Sequence, residues 1–464
     1  MSVLPAAGIQ FDVSVPVAIV GAGAAGLVAA LAAREAGIEV LVLERDLTPR
    51  GSTSLSAGLV PAAGTRVQRE AGIEDSPAAF AADIMAKAGG EPDATLVGTL
   101  TEAAAPTIDW LSDRYGLPFT VIADFGYPGH SAARMHGLPT RSGEELMDAL
   151  RSAAEGSGAD ILTGARVDGL YVDEAQGVRG VALVRPDGTR DRVGCDALVL
   201  ACNGYGGNRD LVREHIPTLA EALYFGHPGN QGEAVLWGRA LGAATRHLSG
   251  HQGHGSVAEP GGILITWATI TEGGFQVNAE GRRFSNEARG YSEQATPVLQ
   301  QPGGIAWTIF DERIAGIARQ LADFRNAEQA GLILSAADGA ELARRTRLPE
   351  GALEATLAAV AAHKSSASTD AFGRDFAGAP PLSPPYKAVR VTGALFHSQG
   401  GLVVDERARV LSDVGRPLPN LFAAGGAACG VSGSQASGYL SGNGLLTAVA
   451  LGKIAGESAA ALAA

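Results

Sequence analysis

Three apolar stretches near the start of the chain follow one another in a pattern typical of a strand, a helix and a second strand. An apolar run at 17–20 is followed by an alanine-rich stretch at 27–36, and after Gly37 a second apolar run, 38–43, ends at Glu44. Three glycines separate the first run from the alanine-rich stretch: Gly21, Gly23 and Gly26. Short apolar runs are typical of buried strands, and the longer alanine-rich stretch favours a helix. The pattern predicts a βαβ unit with an acid at the tip of its second strand.

The spacing of these glycines is that of a loop that binds a dinucleotide pyrophosphate. Gly21 permits the tight turn, Gly23 lets the backbone approach the phosphates, and Gly26 lets the helix pack closely on the strand. The helix N-terminus offers free N–H groups to the phosphates, and Glu44 accepts hydrogen bonds from ribose hydroxyls. The motif predicts a dinucleotide site and leaves FAD and NAD both open.

The remaining pattern predicts an α/β fold of Rossmann type that a second domain interrupts. Ser142 is the predicted cap of a helix, and apolar strands follow, the last of them ending at Asn203 and Gly204. Residues 246–385 differ, because they combine short strands, a long helical stretch near 336–363 and a terminal region rich in Ser, Gly and Pro. We therefore predict a first domain formed by 1–245 and 386–464, with 246–385 inserted between its two parts.

Composition narrows the classes of function. The 464 residues carry a net charge of −13, which disfavours a nucleic-acid partner. No apolar run reaches the ~20 residues that span a bilayer, and no basic, apolar secretory signal precedes Val15. Three cysteines, at 195, 202 and 429, have no metal-ligand spacing and are typical of a reducing cytoplasm. No haem, iron–sulfur or zinc motif is visible, so any redox chemistry is expected to use an organic cofactor.

Several stretches resemble the fumarate reductase/succinate dehydrogenase flavoprotein superfamily, in the order in which that family carries them. They are the βαβ start, the Ser/Thr-rich loop 51–58, the segments VNAEGRRFSNE at 277–287 and FHSQGGLVVD at 396–405, and the glycine-rich segments 419–426 and 442–446. The resemblance implies a Rossmann-type FAD-binding domain with an inserted α+β capping domain, and catalysis in the cleft between them. Judged without the resemblance, the loop 51–58 suits a flexible surface linker equally well.

The resemblance also implies which residues contact FAD. They are Gly21, Gly23, Ala24, Ala25, Gly26, Glu44, Arg45, Ser52, Ser54, Ala57, Gly58, Val167, Asn203, Gly204, Gly425, Gly426, Leu445 and Leu446. Gly426 departs from the family, which usually has a glutamate there to bind a ribityl hydroxyl, so a water or another side chain must replace that group. Covalent members attach flavin through a histidine after the position of Glu44, but no histidine precedes His130 here, so we expect noncovalent FAD.

Two branches of the superfamily make different demands on the site. In 3-ketosteroid Δ1-dehydrogenases and related cyclic-ketone desaturases a tyrosine takes the α-proton of a ketone, and Tyr291 lies at the matching place, four residues after Glu287. Arg289 supplies a neighbouring positive charge that favours this base, and Tyr127 matches a second tyrosine. Tyr439 and Gly444 match the groups that polarise the ketone oxygen, although the tyrosine is offset by one residue. Without the family context, the sequence favours Tyr291 as an aromatic packed at a domain interface.

Fumarate reductases instead clamp a dicarboxylate with arginines and histidines. His397 matches their substrate-binding histidine, but residues 425–446 contain neither Arg nor Lys. Arg134 and Arg289 remain candidates for binding a carboxylate. The loop 125–136, which begins at Phe125, has the polar and aromatic composition of a site-lining loop. The histidines at 247, 251 and 254 are expected to be structural or to line a cavity, and no metal site is predicted.

The sequence therefore predicts an FAD-dependent desaturase that introduces a C=C bond α,β to a ketone in a cyclic or steroid-like substrate. Tyr291, Tyr127, Gly444, Tyr439, His397 and Arg289 are its predicted catalytic residues. Expected partners are a small-molecule substrate and an external electron acceptor, namely a quinone, a carrier protein or O2. The alternatives are a reductase of an unsaturated (di)carboxylate and a non-catalytic flavin-binding protein.

Overall fold

The predicted βαβ unit is present in the structure, a computed structural model that describes residues 2–123 and 126–464. Val13–Val20 forms a strand whose last four residues are buried, and the helix Ala24–Glu35 follows it. The strand Val40–Leu43 then pairs in parallel with the first, with Val17 opposite Val40. The helix ends where Gly37 takes a positive φ of 80°, a conformation that glycine adopts without steric cost.

The strands of the described residues have two to eight residues each, apart from two longer ones with 11 and 13 residues. They are β1 (Ser2–Pro5), β2 (Val13–Val20), β3 (Val40–Leu43), β4 (Val60–Pro61), β5 (Thr120–Ile122), β6 (Met135–Gly137), β7 (Asp160–Leu162), β8 (Arg166–Val172), β9 (Val178–Val184), β10 (Arg190–Leu200), β11 (Leu223–Tyr224), β12 (Thr245–Arg246), β13 (His251–Ala258), β14 (Phe275–Val277), β15 (Ile305–Asp311), β16 (Ile333–Ala336), β17 (Tyr386–Ser398), β18 (Gly401–Leu402), β19 (Arg409–Leu411) and β20 (Pro417–Ala423).

The helices of the described residues are distributed among these strands along the chain. They are α1 (Ala24–Glu35), α2 (Gly51–Ser54), α3 (Arg66–Glu70), α4 (Pro77–Lys87), α5 (Ala94–Tyr115), α6 (Gly143–Gly156), α7 (Arg209–His215), α8 (Glu233–Ala240), α9 (Ala268–Thr271), α10 (Tyr291–Leu299), α11 (Glu312–Ala318), α12 (Ala322–Gln329), α13 (Gly339–Thr346), α14 (Glu350–Ser366) and α15 (Asn443–Ala463). Short 3-10 turns lie at Pro217–Leu219, Glu287–Arg289, Pro302–Gly304, Gly425–Ala427 and Ala436–Gly438.

The chain divides into two compact units. The first comprises Met1–Pro217, Gly226–His251 and His397–Ala464, and the second comprises Thr218–Phe225 and Gln252–Phe396. These bounds differ from the predicted insertion, 246–385. The main reason is β17, a 13-residue strand that pairs with β15 and β16 along most of its length, so residues up to 396 belong to the second sheet. The region rich in Ser, Gly and Pro that ends at residue 385 also contributes buried side chains, including Phe376.

The first unit is built on a nine-stranded sheet with a parallel centre. Strands β7, β3, β2 and β10 pair side by side in parallel, and β20 joins the far end of β10 in the same direction. The first half of β10 pairs instead with β9 in antiparallel fashion, so β10 serves two neighbours. The carboxyl ends of the parallel strands meet at one edge, where ligands of such sheets bind. The α/β Rossmann-type class is thereby confirmed.

Helix α15 is long and apolar enough to cross a membrane, but more than half of it is buried in the core of the first unit. It packs directly on α1, because Gly452 and Gly456 leave room for the backbone of Ala25 and Ala29. A Cβ at Gly452 would lie 2.7 Å from the Ala25 carbonyl oxygen. This close crossing fixes the N-terminus of α15 relative to the glycine loop.

The second unit contains a six-stranded sheet. Its main path runs β11, β17, β15 and β14, and β13 and β16 also pair with β17. Two apolar clusters cover this sheet, one around Phe310 and Phe324 and the other around Phe275 and Phe376. The predicted helical stretch at 336–363 is two helices, α13 and α14, because residues 347–349 interrupt it.

Candidate functional site

The glycine loop between β2 and α1 leaves a space that suits a pyrophosphate. Gly21 has a φ of +104°, and a Cβ there would lie 2.6 Å from the Ala201 carbonyl oxygen. A Cβ on Gly26 would overlap the Gly21 carbonyl, which explains why helix and loop approach so closely. The nearest atom to a Cβ on Gly23 is Thr53 Oγ1, at 3.8 Å, so the space in front of Gly23 is open. Because α1 begins here, the N–H groups of its first turn, which have no acceptors within the helix, face that space.

Glu44 is buried at the end of β3, as the sequence predicts for a ribose-binding acid. Its Oε2 accepts the Ala22 N–H at 2.9 Å and its Oε1 accepts the Asp46 N–H at 2.9 Å. Each carboxylate oxygen has two acceptor positions, so both retain one for a hydroxyl group. The acid therefore fits a ribose diol and also holds the glycine loop in place.

The Ser/Thr-rich segment 51–58 is not an open loop, because α2 occupies its first half. Ser52 Oγ accepts hydrogen bonds from His227 N at 3.1 Å and Asn230 Nδ2 at 2.8 Å, and Ser54 Oγ donates to the Gly51 carbonyl. The side chain that reaches the glycine loop is Thr53, whose Oγ1 accepts the Ala24 N–H at 3.3 Å. Thr53 was missed by sequence reasoning, since its neighbours have the same hydroxyl chemistry.

Some predicted FAD contacts also have roles within the protein. Arg45 donates to the Gly229 carbonyl at 2.6 Å and pairs with Glu233 at 3.8 Å. Gly58 has a φ of +66°, and a Cβ there would lie 2.6 Å from the Ser142 carbonyl oxygen. Val167 is buried in β8. The assignments of Arg45, Gly58, Ala57 and Val167 to FAD remain predictions.

Asn203 occupies the space that a side chain at Gly426 would need. It has a φ of +65°, its Oδ1 accepts the Gly204 N–H at 2.8 Å, and a Cβ on Gly426 would overlap that same Oδ1. The neighbouring Gly425 approaches the Cβ of Ala25 in α1, at 3.0 Å for an added Cβ. The carboxamide of Asn203 is therefore the polar group at the place where the resemblance implies a glutamate.

At the N-terminus of α15, three predicted catalytic residues lie together. A Cβ on Gly444 would be 2.9 Å from both Cε1 and Nε2 of His397 and 3.8 Å from the Tyr439 hydroxyl. The His397 and Tyr439 rings meet edge to face, with centroids 5.6 Å apart. Only a residue without a side chain leaves the His397 ring in this position, which explains the glycine at 444.

The loop that contains Tyr127 supports this group from the side. His130 Nε2 bonds the Ser441 carbonyl at 3.0 Å, and Leu440 lies against Gly129. Tyr127 packs on a small apolar cluster that includes Ile122 and Met135. Phe125, the first residue of the predicted site-lining loop, lies outside the described residues.

In the second unit, Tyr291 begins α10 inside an aromatic cluster. His254 stacks on Tyr291 with centroids 4.8 Å apart and on Phe396 at 5.1 Å, and Trp267 meets Tyr291 edge to face at 6.2 Å. Phe225 stacks on the other side of Phe396 at 4.7 Å. The buried Trp267 indole N–H has no hydrogen-bond acceptor among residues 2–123 and 126–464. The rings of this cluster stack mainly on one another.

Arg134 is not available to bind a substrate carboxylate, contrary to the sequence prediction. Its side chain is fully buried and forms ion pairs with Asp75 at 2.9 Å and Asp83 at 2.6 Å. The guanidinium group also lies over the ring of Phe80. A buried charge needs such partners, and their removal would leave an uncompensated ion. Arg134 therefore stabilises the fold of the first unit.

Other arginines near the matched motifs are also committed to carboxylates. Arg283 pairs with Glu287 and Asp370, and Arg374 pairs with Glu287 at 3.1 Å. Arg289 is exposed, and its role beside Tyr291 remains a prediction.

The histidines of these regions are neutral at pH 7. Burial lowers the pKa of His254 to about 3 and that of His397 to about 4, from an ordinary 6.5. Burial also lowers the pKa of His251. His251, His254 and His397 therefore carry no positive charge at pH 7.

The model of the FAD binding domain family matches residues 16–445 of this chain. The chain belongs to the FAD binding domain family. It is 31% identical over 445 residues to a probable fumarate reductase, Ifc3, from Shewanella frigidimarina (strain NCIMB 400), covering 96% of this chain and 74% of that protein.

Two solved structures extend this family resemblance. A flavocytochrome c3 fumarate reductase in its open conformation matches with a TM-score of 0.84 and 30% identity, and the match covers 99% of the present chain and 80% of the reductase chain. The 3-ketosteroid-Δ4-(5α)-dehydrogenase of Rhodococcus jostii RHA1 matches with a TM-score of 0.77 and 26% identity, over 99% and 100% of the two chains. The predicted fumarate reductase/succinate dehydrogenase superfamily is confirmed, and the protein is an FAD-binding oxidoreductase that acts on CH–CH groups.

Proposed function

We propose that this flavoprotein desaturates a neutral cyclic ketone, placing a C=C bond α,β to the carbonyl group. The observation that supports the proposal is the state of the cationic side chains. Arg134, Arg283 and Arg374 are paired with buried carboxylates, and residues 425–446 contain neither Arg nor Lys. A ketone oxygen requires hydrogen-bond donors and no counter-ion, which suits such surroundings.

The neutral histidines support the same choice of substrate. A dicarboxylate transferred from water to a partly buried site loses hydration, and hydrogen bonds from cations are among the strongest replacements. With the pKa of His397 at about 4 and that of His254 at about 3, imidazolium ions do not serve this purpose near pH 7. The aromatic surfaces around Tyr291 suit a flat ring system better than a short acid.

In this proposal the ketone oxygen accepts hydrogen bonds from Gly444 N–H, Tyr439 and His397, and Tyr291 takes the α-proton. One preorganised donor to a developing oxyanion contributes about 2.7–4 kcal/mol. The backbone donor is suited to this role because Gly444 is in the first turn of a 21-residue helix, where N–H groups lack intrahelical acceptors. FAD, held by the glycine loop, Glu44 and the region of Asn203, supplies the hydride acceptor for the β-carbon when bound. Reoxidation then requires an external acceptor, for which we propose a quinone, a carrier protein or O2.

A second candidate is reduction of a C=C bond conjugated to a carboxylate. It is favoured by the similarity to a probable fumarate reductase at 31% identity and by His397, the one match to the substrate-binding groups of that branch. On this alternative, we propose Arg289 as the carboxylate ligand, since it is exposed and lies two residues from Tyr291.

The deciding experiment compares the two half-reactions on one preparation. Oxidised enzyme is mixed anaerobically with a panel of saturated cyclic ketones, including 3-ketosteroids, and loss of flavin absorbance at ~450 nm is followed by stopped flow. Photoreduced enzyme is then mixed with fumarate, acrylate and urocanate, and the return of that absorbance is followed. We expect bleaching by a cyclic ketone and no fast reoxidation by the acids. Fast reoxidation by one of the acids, with no bleaching by any ketone, would establish the reductase instead.

A further inference from the structure

A buried chain of hydrogen bonds leads from the start of α15 to the back of the His397 ring. Asn443 Nδ2 donates to Ser432 Oγ at 3.0 Å, and Ser432 Oγ donates to Gln399 Oε1 at 2.7 Å. Gln399 Nε2 lies 2.7 Å from His397 Nδ1. Asn443, Ser432 and Gln399 are buried, so water does not compete for these bonds. No pattern in the sequence assigned any of these three side chains to the site.

The direction of this chain follows from the unpaired end of Asn443. In the orientation described, Asn443 Oδ1 is buried without a partner in the described part of the protein. Reversal of the whole chain would exchange the oxygen and nitrogen of both amides, and would leave the two N–H groups of Asn443 buried and unpaired instead. Buried unpaired N–H groups are rarer than under-satisfied carbonyl oxygens, so donation from Asn443 towards His397 is favoured over the reverse.

This direction determines the tautomer of His397. An amide NH2 has no acceptor capacity, so Nδ1 of the neutral imidazole must accept the hydrogen bond from Gln399 and the ring proton must be on Nε2. The rival partner of Nδ1 is the Ser398 carbonyl oxygen, which is farther away at 3.3 Å. The shorter distance favours Gln399 over Ser398 as the partner of Nδ1, and therefore a proton on Nε2.

We propose that Gln399, held by Ser432 and Asn443, is a positioning residue that makes His397 a neutral Nε2–H donor for the substrate's carbonyl oxygen. The Nε2 edge of His397 and the backbone of Gly444 are adjacent, so one acceptor atom can bond both donors. A neutral donor stabilises an enolate oxygen as its charge develops and does not protonate it outright, because a neutral imidazole is a very weak acid. This inference rests on the proposed ketone substrate.

The tautomer is measured directly on the resting holoenzyme by 15N NMR with labelled histidine, since only nine histidines contribute signals. The His397 signals are assigned by their loss in His397→Gln. We expect wild-type His397 to carry its proton on Nε2. In Gln399→Glu and Gln399→Leu the proton should move to Nδ1, which then donates to the new carboxylate or to the Ser398 carbonyl. A wild-type proton on Nδ1, or no change in either variant, would overturn the proposal.

The donor role is tested with 4-nitrophenolate, a stable mimic of an enolate oxygen, titrated into the oxidised holoenzyme. Wild type should bind it with a shift of the His397 Nε2 signal, and Gln399→Leu should bind it about 10- to 100-fold more weakly, the usual cost of one hydrogen bond to a charged oxygen. Gln435→Leu is the matched control, because it makes the same substitution at an exposed glutamine whose amide contacts Ser434. An Nε2 signal that does not respond to bound phenolate would overturn the donor role.

The outcomes of these experiments distinguish a failure of the inference about Gln399 from a failure of the proposed function. If His397 has its proton on Nε2 and responds to the phenolate while no ketone bleaches the flavin, the ketone desaturase proposal fails and the positioning role of Gln399 stands. If a ketone bleaches the flavin but His397 is an Nδ1–H tautomer, the function stands and the inference about Gln399 fails.

Discussion

Two substitutions, at positions 203 and 426, test the flavin site when they are made singly and together. We expect Gly426→Glu alone to damage FAD binding, even though the resemblance implies a glutamate at this position. The reason is steric, because the new Cβ would overlap Asn203 Oδ1. We expect Asn203→Gly to relieve that overlap, and glycine also accepts the φ of +65° that Asn203 now holds.

The magnitude follows from the cost of overpacking. Inserting atoms into a filled site costs about 1–3 kcal/mol, which corresponds to about 5- to 150-fold in the FAD dissociation constant of Gly426→Glu. Asn203→Gly alone removes the hydrogen bond to Gly204 N–H, for which about 0.5–1.5 kcal/mol is expected. In the double variant the overlap is absent and the glutamate is available to the cofactor. We therefore expect a favourable coupling energy of about 1–3 kcal/mol between the two changes.

The assay is fluorescence titration of each apoprotein with FAD, together with thermal unfolding of the apoproteins. The unfolding data show whether a loss of affinity reflects a damaged fold or the cofactor site alone. Additive effects of the two substitutions on FAD affinity would refute the reasoning, because they would mean that Asn203 and residue 426 do not compete for one space. Unchanged affinity in Gly426→Glu would refute it as well.

Four further predictions follow from the site and its surroundings. Tyr291→Phe should slow flavin reduction by a ketone substrate by about 10²- to 10⁴-fold, measured by stopped flow, with little change in substrate binding. The flavin of Tyr386→Phe, a control in the second unit, should be reduced at the wild-type rate. Equal rates for both variants would exclude Tyr291 as the base. Stability should fall as the pH is lowered from about 6.5 towards 4, because burial lowers the pKa of His397 to about 4 and that of His254 to about 3, so the unfolded chain binds protons that the folded one does not; a melting temperature that is flat from pH 7 to pH 5 would contradict this. Glu44→Ala should weaken FAD binding by about 1.5–3 kcal/mol and also lower the melting temperature of the apoprotein, since Glu44 accepts the Ala22 and Asp46 N–H groups; isothermal titration that finds wild-type affinity would remove Glu44 from the site. Acid precipitation should release all yellow colour into the supernatant, because no histidine precedes His130, and colour retained in the pellet would indicate a covalent link.

Local sequence patterns were sufficient to predict the geometry of the glycine loop and the acid that follows β3. The glycine spacing predicts the turn at Gly21 and the open space at Gly23, since both depend on backbone geometry that few other residues allow. Glu44 was also predictable, because it directly follows the apolar run that forms β3.

The remaining part of the site depends on contacts between distant segments. Arg134 has the chemistry of a carboxylate ligand, and only the folded chain shows that Asp75 and Asp83 already bind it. Asn203 meets Gly426, and Gln399 meets Ser432, through strands and turns that are adjacent only in the folded protein. No periodicity in the sequence reports such a meeting. The predicted boundary at 385 differs from the end of the second unit at 396 for a similar reason, since β17 pairs with β15, β16 and β11 beyond residue 385.

The crossing of α1 and α15 has a consequence for how the protein matures on the ribosome. The pyrophosphate loop is synthesised early, but the helix that packs behind it through Gly452 and Gly456 is synthesised late. Strand β20, which completes the parallel part of the sheet beside β10, also comes late. Contacts of such long sequence separation form slowly and only after the intervening chain is available. We therefore expect that a nascent chain stalled before β20 would not retain FAD.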